Sequence, residues 1–212
     1  MVMGRREEDL QFRCENTVIP NTTEVEMLGV ILDEKLKFDQ HVAKVCRKVT
    51  QNIAVLRRIR NMLPFELRKA IYNSFIIPHY NYCAETWHFC SKSSLNKLEK
   101  VNERAIRFVF KDKNTPYCDL LKQLGRATLA EERAHEILGT IFRILHGSCP
   151  VSIRDLIQRR IYQRRKVNTT KYGLKSCRYY GPKLWNSLPD SVKSLTTYAA
   201  FRKALVNIEL EL

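Results

Sequence analysis

The sequence predicts a mainly α fold that begins with a short N-terminal antiparallel β-hairpin. A helical bundle and a basic helical C-terminal region follow it. Apolar residues alternate near the N-terminus and recur at spacings of three and four over most of the remaining chain. Glycine and proline are scarce, at 7 each in 212 residues, which favours long helices over a many-turned β fold. A hydrophobic content of 44% with 28% charged residues is typical of a globular protein.

Residues 1–38 carry the β pattern. Leu10, Phe12 and Cys14 alternate with polar neighbours and predict a half-buried strand. A Pro-Asn-Thr turn at residues 20–22 leads to a second strand, with Val25 and Met27 on one face. These two strands are predicted to pair as a single hairpin.

The pattern changes to a helical period at Asp39, which is a candidate N-cap. The apolar face of this first helix comprises Val42, Val45, Cys46, Val49, Ile53, Leu56 and Ile59. Its other face carries a basic set: Lys44, Arg47, Lys48, Arg57, Arg58 and Arg60. Pro64 is predicted to end this segment and to begin the next.

Two more helices complete a predicted three-helix bundle over residues 39–112. One follows Pro64 and is expected to stop or kink at Pro78. The other runs over "SLNKLEKVNERAIRFVF", with Leu95, Leu98, Val101, Ala105 and Val109 inward. Its outer face presents Lys97, Lys100, Arg104 and Arg107.

Residues 113–212 form the predicted basic helical region. Thr115-Pro116 starts a short helix closed by Gly125, "TLAE" at 128–131 is a capping box, and Gly147 ends the helix after it. Two short helices are expected at the C-terminus. Residues 154–183 hold ten basic residues and one acidic residue, including the candidate contacts Arg159, Arg160, Arg164, Arg165 and Lys166. Interleaved with them are four tyrosines able to stack on bases, namely Tyr162, Tyr172, Tyr179 and Tyr180.

The charge indicates a polyanionic partner. The chain holds 37 Lys and Arg against 22 Asp and Glu, a net charge of +15. Residues 1–40 hold 5 basic and 9 acidic residues, whereas residues 41–212 hold 32 and 13. Nucleic acid is the commonest ligand of such a surface. The alternative is a basic surface that serves solubility only, although the many arginines favour phosphate binding.

The seven cysteines are widely spaced without a Cys-x-x-Cys motif, which predicts reduced thiols inside the cell. The N-terminus lacks the apolar core of a signal peptide, and no stretch approaches the ~20 apolar residues of a membrane span. The expected location is therefore intracellular, either cytoplasmic or nuclear, without a membrane partner.

Four stretches resemble one family. "LGVILDEKLKFDQHV", "LPFELRKAIYNSFIIPHYNYCAETW", "LEKVNERAIRFVF" and "YYGPKLWNSLPDSVKSLTTYAAFRKAL" are similar to the region after the active site of non-LTR (LINE-type, jockey-like) retrotransposon reverse transcriptases. The resemblance implies that residues 1–38 are the end of a palm, with Leu28, Gly29 and Val30 as a primer-grip-like strand. It further implies that residues 39–112 are a thumb-like bundle and that residues 113–212 lie downstream of it.

The chain lacks the catalytic aspartate pair that is typical of this family. Such polymerases hold two metal ions on aspartates, usually including an Asp-Asp turn in the palm, and this sequence contains no Asp-Asp. We expect a non-catalytic C-terminal fragment of an RNA-directed DNA polymerase that contacts an RNA–DNA duplex, RNA or DNA. We expect no catalytic residue, cofactor or small-molecule substrate, and Mg²⁺ only in the complete parent, whose palm and fingers would be the protein partner.

Several alternatives remain open in the sequence. The fragment could be a helical protein-interaction module, an inactive transposon relic, or one half of an enzyme split over two chains. His79, Cys83, His88 and Cys90 lie close in sequence, but their spacing matches no common zinc site. Asp33 is interpreted as a turn or N-cap residue. Trp87 and Trp185 are predicted core residues.

Overall fold

The computed structural model describes residues 12–15, 17–147, 149–162, 176–206 and 208. The predicted mainly α class is confirmed. The helices in chain order are α1 Asp39–Ile59, α2 Phe65–Ile71, α3 Ile77–Asn81, α4 Ala84–Trp87, α5 Lys92–Phe110, α6 Tyr117–Leu124, α7 Leu129–Leu145, α8 Val151–Tyr162, α9 Cys177–Ser187, α10 Asp190–Lys193 and α11 Tyr198–Leu205. A 3₁₀ turn at Arg60–Met62 follows α1, and a π-helical turn at Tyr72–Ile76 joins α2 to α3.

The β region contains two hairpins where one was predicted. Strand β1 (Phe12–Cys14) pairs antiparallel with β2 (Thr17–Ile19), and β3 (Glu24–Met27) pairs with β4 (Val30–Asp33). The predicted pairing of the first strand with the strand that contains Val25 is therefore wrong. Each observed hairpin closes a two-residue loop, which costs less chain entropy than joining more distant segments.

The start of α1 depends on a different aspartate from the one predicted. Asp39 is already the first residue of the helix, and Phe38 precedes it in a left-handed conformation with a φ of 59°. The carboxylate of Asp33 instead accepts hydrogen bonds from the backbone N–H groups of Lys37 and Phe38, and it also accepts one from Lys35. Asp39 accepts from the hydroxyl of Ser94, 2.5 Å away at the start of α5. The interpretation of Asp33 as a turn residue is confirmed, whereas Asp39 is not an N-cap.

The described residues form two compact units. Unit 1 comprises the described residues up to His79 together with Cys90–Asp112, and unit 2 comprises Tyr80–Phe89 and the described residues from Lys113 onward. In unit 1, the apolar face of α1 packs on α5, burying Val49, Leu98 and Val109. Buried Arg68 of α2 donates to the carbonyl oxygen of Val109, 2.6 Å from its Nε, which satisfies a carbonyl at the end of α5.

The helical segment after Pro64 does not stop at Pro78. The chain passes through the π turn and continues as α3, in which Pro78 is the second residue. Within the turn the backbone N–H of Ile77 donates to the carbonyl oxygen of Tyr72, five residues earlier. Such a wide turn lets the helical segment continue even though Pro78 has no backbone N–H to donate.

Unit 2 is built around α7. Thr128 and Glu131 form the predicted capping box at its start, and Gly147 has a φ of 99° just beyond its end. Helices α8, α9 and α11 pack against α7. The C-terminal segment contains three helices where two were predicted, because Pro189 separates α9 from α10.

Both tryptophans are buried in unit 2, as predicted. Trp87 has no exposed surface and Trp185 only 6%. The Arg133 guanidinium lies over the Trp87 ring, 5.0 Å from its centroid. Trp185 packs near the ring of Phe201 of α11, at 5.6 Å between centroids.

Candidate nucleic-acid interface

The basic residues predicted on α1 divide into two groups. Arg47, Lys48, Arg57 and Arg58 are exposed, and they form no ion pair among the described residues. Lys44 and Arg60 are half-buried. Helix α1 holds a single acidic residue, Asp39, and that carboxylate already accepts hydrogen bonds from Ser91 and Ser94. The exposed group therefore has no ion-pair partner on its own helix.

Lys44 is engaged with the second hairpin. Its Nζ lies 2.5 Å from Oε1 of Glu26 on β3 and 3.3 Å from the carbonyl oxygen of Gly29. The hydrogen bond and charge of Lys44 lower the pKa of the Glu26 carboxyl. This lysine consequently ties α1 to the hairpin and offers less free charge than its neighbours.

The basic residues predicted on α5 divide in the same way. Lys97, Lys100 and Arg104 are exposed, and they form no ion pair among the described residues. Arg107 is half-buried and its Nη2 lies 2.7 Å from Oε1 of Glu103, one helical turn earlier. Because α1 and α5 pack on each other in unit 1, their exposed basic residues belong to one structural unit.

The primer-grip-like residues lie at the tip of the second hairpin. Leu28 and Gly29 form the turn, with φ angles of 47° and 81°, and Val30 begins β4. The expectation that all three residues form a strand is therefore wrong. Leu28 is 84% exposed. Its backbone is in the left-handed conformation, which is uncommon for leucine. Val30 is buried.

The C-terminal basic run is described only in part. Arg159 of α8 is exposed and Arg160 is half-buried, whereas Arg164, Arg165 and Lys166 lie outside the described residues. Of the candidate stacking tyrosines, Tyr179 and Tyr180 are half-buried. Tyr180 packs with Phe89 in an edge-to-face contact, 5.5 Å between ring centroids. Tyr172 and the side chain of Tyr162 lie outside the described part.

An exposed aromatic residue in unit 1 escaped the sequence analysis. Phe75 lies in the π turn and is 63% exposed. Its carbonyl oxygen is 3.5 Å from Nδ2 of Asn52 on α1, and the same amide nitrogen lies 3.2 Å from Nε2 of His79. Burial, followed by the charge of Lys48, lowers the pKa of His79. No local sequence signal marks this site, because α-helical spacing from buried Tyr72 predicts an inward Phe75.

Unit 2 contains a cavity of about 400 Å³. Two ion pairs lie in its wall: Arg126 with Glu132 at 2.8 Å, and Arg202 with Glu136 at 2.7 Å. His135 also lines it, and burial together with the Arg202 charge lowers the pKa of this histidine. Both arginines are already paired with carboxylates, and Lys122 is the lining cation that forms no ion pair among the described residues.

The described residues contain no group of three His, Cys, Asp or Glu side chains placed to share a metal ion. His79, Cys83, His88 and Cys90 thus do not assemble such a group. Among the helices that the structure describes, none is both long and apolar enough to cross a bilayer.

Comparison with known proteins finds partial similarity to transposon polymerases. The chain is 24% identical over 98 residues to a probable RNA-directed DNA polymerase from transposon BS of Drosophila melanogaster, covering 45% of this chain and 11% of that protein. It is 24% identical over 94 residues to the RNA-directed DNA polymerase from mobile element jockey of Drosophila funebris, covering 43% of this chain and 10% of that polymerase. An uncharacterized Caenorhabditis elegans protein is 28% identical over 123 residues, which is 57% of this chain and 62% of that protein.

No protein-family profile and no solved structure matches the chain. The chain is thus distantly and partially similar to non-LTR retrotransposon RNA-directed DNA polymerases. The matched region spans about a tenth of the two polymerases' own length.

Proposed function

We propose that this chain is a non-catalytic part of a retrotransposon RNA-directed DNA polymerase, which contacts template and primer through the basic faces of α1 and α5. One observation carries the proposal. Unit 1 exposes a set of cations that have no ion pair among the described residues, namely Arg47, Lys48, Arg57, Arg58, Lys97, Lys100 and Arg104. Lysine and arginine bind nucleic acid by neutralising phosphates and releasing condensed counterions.

The chemistry of nucleotide transfer would reside elsewhere in the parent protein. The sequence lacks the Asp-Asp pair typical of the palm, and two adjacent carboxylates supply the oxygen ligands that Mg²⁺ prefers. Under this proposal the chain needs no cofactor of its own, and palm and fingers are its protein partners. Leu28 and Gly29, at an exposed hairpin tip tethered by Lys44, would contact the primer strand.

A salt titration of binding to an RNA–DNA duplex tests the proposal. If all seven cations neutralise phosphates, the logarithm of the binding constant falls with the logarithm of salt concentration with a slope of about −6. Fewer contacts give a shallower slope. Absence of duplex binding at about 50 mM salt, where such contacts are strong, would refute the proposal.

Helix α5 supplies a matched pair of variants for this titration. Arg104→Ala removes an exposed cation without an ion pair and should make the slope shallower by about 1. Arg107→Ala removes an arginine that is already paired with Glu103, four residues earlier on the same helix, and should change the slope much less. Equal effects of the two substitutions would contradict the assignment of phosphate contacts.

A second candidate function is a protein-interaction module. The hairpins expose large apolar side chains: Phe12, Val18, Ile19, Val25 and Met27 are each at least 37% exposed. Uncovered apolar surface of this kind marks interfaces or aggregation. Light scattering of the purified chain tests this candidate, which predicts self-association. A stable monomer across concentrations would count against it.

A further inference from the structure

The π turn forces an aromatic ring out of the apolar core of unit 1. Tyr72 and Ile76 at its two ends are almost completely buried, with 1% exposure each. In a regular α-helix, position 75 lies three residues after Tyr72 and therefore near the same buried face. Position 76 lies near that face as well. The wider π turn keeps Ile76 on it and leaves Phe75 63% exposed. Turns of this kind occur frequently at functional sites.

The neighbours of Phe75 belong to a positively charged flank of α1. Asn52 joins this flank to the π turn through its contact with the carbonyl oxygen of Phe75. Lys48 and Val55 lie four residues before and three residues after Asn52, so they share its helical face. Lys48 is exposed, and Val55 is 62% exposed. The surface consequently combines one aromatic ring, an aliphatic side chain and a cation.

We infer that Phe75 is a stacking platform for an unpaired base of a single-stranded nucleic acid, whose backbone phosphate lies against Lys48. Sequence-tolerant binding of single strands combines these two elements, an aromatic ring for the base and a cation for the phosphate. Asn52 lies one helical turn after Lys48, and its amide nitrogen contacts the carbonyl oxygen of Phe75. Its side-chain oxygen is a hydrogen-bond acceptor for the base edge. This inference rests on the proposed nucleic-acid function and adds a site and a strand type to it.

Charge favours a nucleic-acid strand over an apolar protein surface at this place. Lys48 shares the face of Asn52, and Asp39 is the only carboxylate on α1. An apolar partner would have to desolvate Lys48 without compensation, whereas a polyanion compensates it directly. A protein occupant, including a second copy of this chain, is nevertheless a distinct outcome of the experiment.

The experiment compares two strands of equal length, oligothymidylate and the same backbone without bases. Phe75→Ala should bind oligothymidylate about 5- to 150-fold more weakly than the wild type, as expected for the loss of one stacked base. Its affinity for the abasic strand should be unchanged, because the phosphate contacts remain. Leu67→Ala, which truncates another exposed apolar residue of unit 1 (45% exposed), should leave both affinities unchanged.

A fluorescent variant provides an independent measurement. Trp87 and Trp185 are buried, so Phe75→Trp adds an exposed indole, whose emission should be quenched by oligothymidylate but not by the abasic strand. The Phe75→Trp variant should also retain the affinity for oligothymidylate that Phe75→Ala loses. Circular dichroism and thermal unfolding of each variant verify that the fold is intact.

The outcomes separate this inference from the proposed function. If the wild type binds neither strand nor the duplex, both fail. If the wild type binds strands but Phe75→Ala binds them equally well, nucleic-acid contact stands and the stacking platform is refuted. If Phe75→Ala abolishes self-association and leaves strand binding unchanged, the ring belongs to a protein interface and the inference is likewise refuted.

Discussion

The buried His88 makes unit 2 sensitive to acid, and the size of the effect follows from its surroundings. Its ring lies 5.1 Å from the ring centroids of both Phe89 and Tyr180, and its Nδ1 has no hydrogen-bond partner among the described residues. Burial, followed by the charge of Arg133, lowers the pKa of His88 from 6.5 to about 4. The folded state therefore holds this imidazole neutral at pH values where the unfolded chain protonates it.

The sign of the pH dependence follows from proton linkage. Below pH 6.5 the unfolded state binds more protons at this site, so the free energy of unfolding decreases as the pH falls towards 4. With pKa values of 6.5 and about 4, the loss between pH 7 and pH 5 is about 2 kcal/mol. Such a loss is a large fraction of the stability of an ordinary domain.

The substitution His88→Phe tests this reasoning, because it keeps an aromatic ring against Phe89 and Tyr180 and removes the titrating group. Urea unfolding followed by tryptophan fluorescence reports on unit 2, which contains both tryptophans. The free energy of unfolding of the variant minus that of the wild type should increase by about 2 kcal/mol from pH 7 to pH 5. Because the pKa of His135 is also lowered, only this difference isolates His88. A difference that is independent of pH would refute the reasoning.

Three substitutions test local features of the fold by their effect on the free energy of unfolding. A Cβ at Gly181 would lie 2.8 Å from Cδ1 of buried Ile141, so Gly181→Ala should lower the free energy of unfolding by about 1–3 kcal/mol. In a double-mutant cycle, Ile141→Val should recover part of that loss. Additive effects of the two substitutions would argue against the close approach. Thr128→Ala removes the capping box of α7 and should cost about 1 kcal/mol in urea unfolding, whereas Thr128→Ser should cost less. Asp33→Ala leaves the backbone N–H groups of the β4–α1 turn without their acceptor and should cost about 1–3 kcal/mol; thermal unfolding unchanged from the wild type would show that water replaces the carboxylate.

Helix ends were predictable from the sequence wherever a side chain within a few residues decides them. Thr128 and Glu131 satisfy each other's backbone groups across one turn, and Gly125 ends α6 with a φ of 69° that favours glycine. The prediction of Asp39 as the N-cap of α1 failed because two aspartates, Asp33 and Asp39, lie close enough to the start of the helix to bond to its backbone. Asp33 accepts the backbone hydrogen bonds, while Asp39 bonds to α5 through Ser94, a contact that requires the tertiary fold.

The π turn could not be predicted, since its register is set by long-range packing. Tyr72 donates from its hydroxyl to Oδ1 of Asn102 on α5 at 2.8 Å, and Ile76 is buried in the same unit. In a regular α-helix, positions 72, 75 and 76 all lie near this buried face. The wider π turn keeps Tyr72 and Ile76 on the face and turns Phe75 away from it. The exposed position of Phe75 is the consequence, and α-helical periodicity predicts the opposite.

The candidate interface shows the same division between local and distant partners. The pairing of Arg107 with Glu103 follows a spacing of four residues along one helix and is predictable from the sequence. The pairing of Lys44 with Glu26 joins residues 18 positions apart and depends on how the second hairpin meets α1. The basic face was therefore predictable as a set, but the cations left unpaired on it were not.

The structure shows the role of the segment "GPKLWNSLP", which its resemblance to a family does not explain. Its residues Leu184, Trp185 and Leu188 lie in the core cluster of unit 2. Gly181 at its start permits α9 to approach Ile141 of α7 more closely than any side chain would allow. These roles concern packing, and Lys183 is the exposed charge within the segment. The segment therefore contributes mainly to the fold of unit 2, whereas the seven exposed cations proposed to contact nucleic acid lie in unit 1.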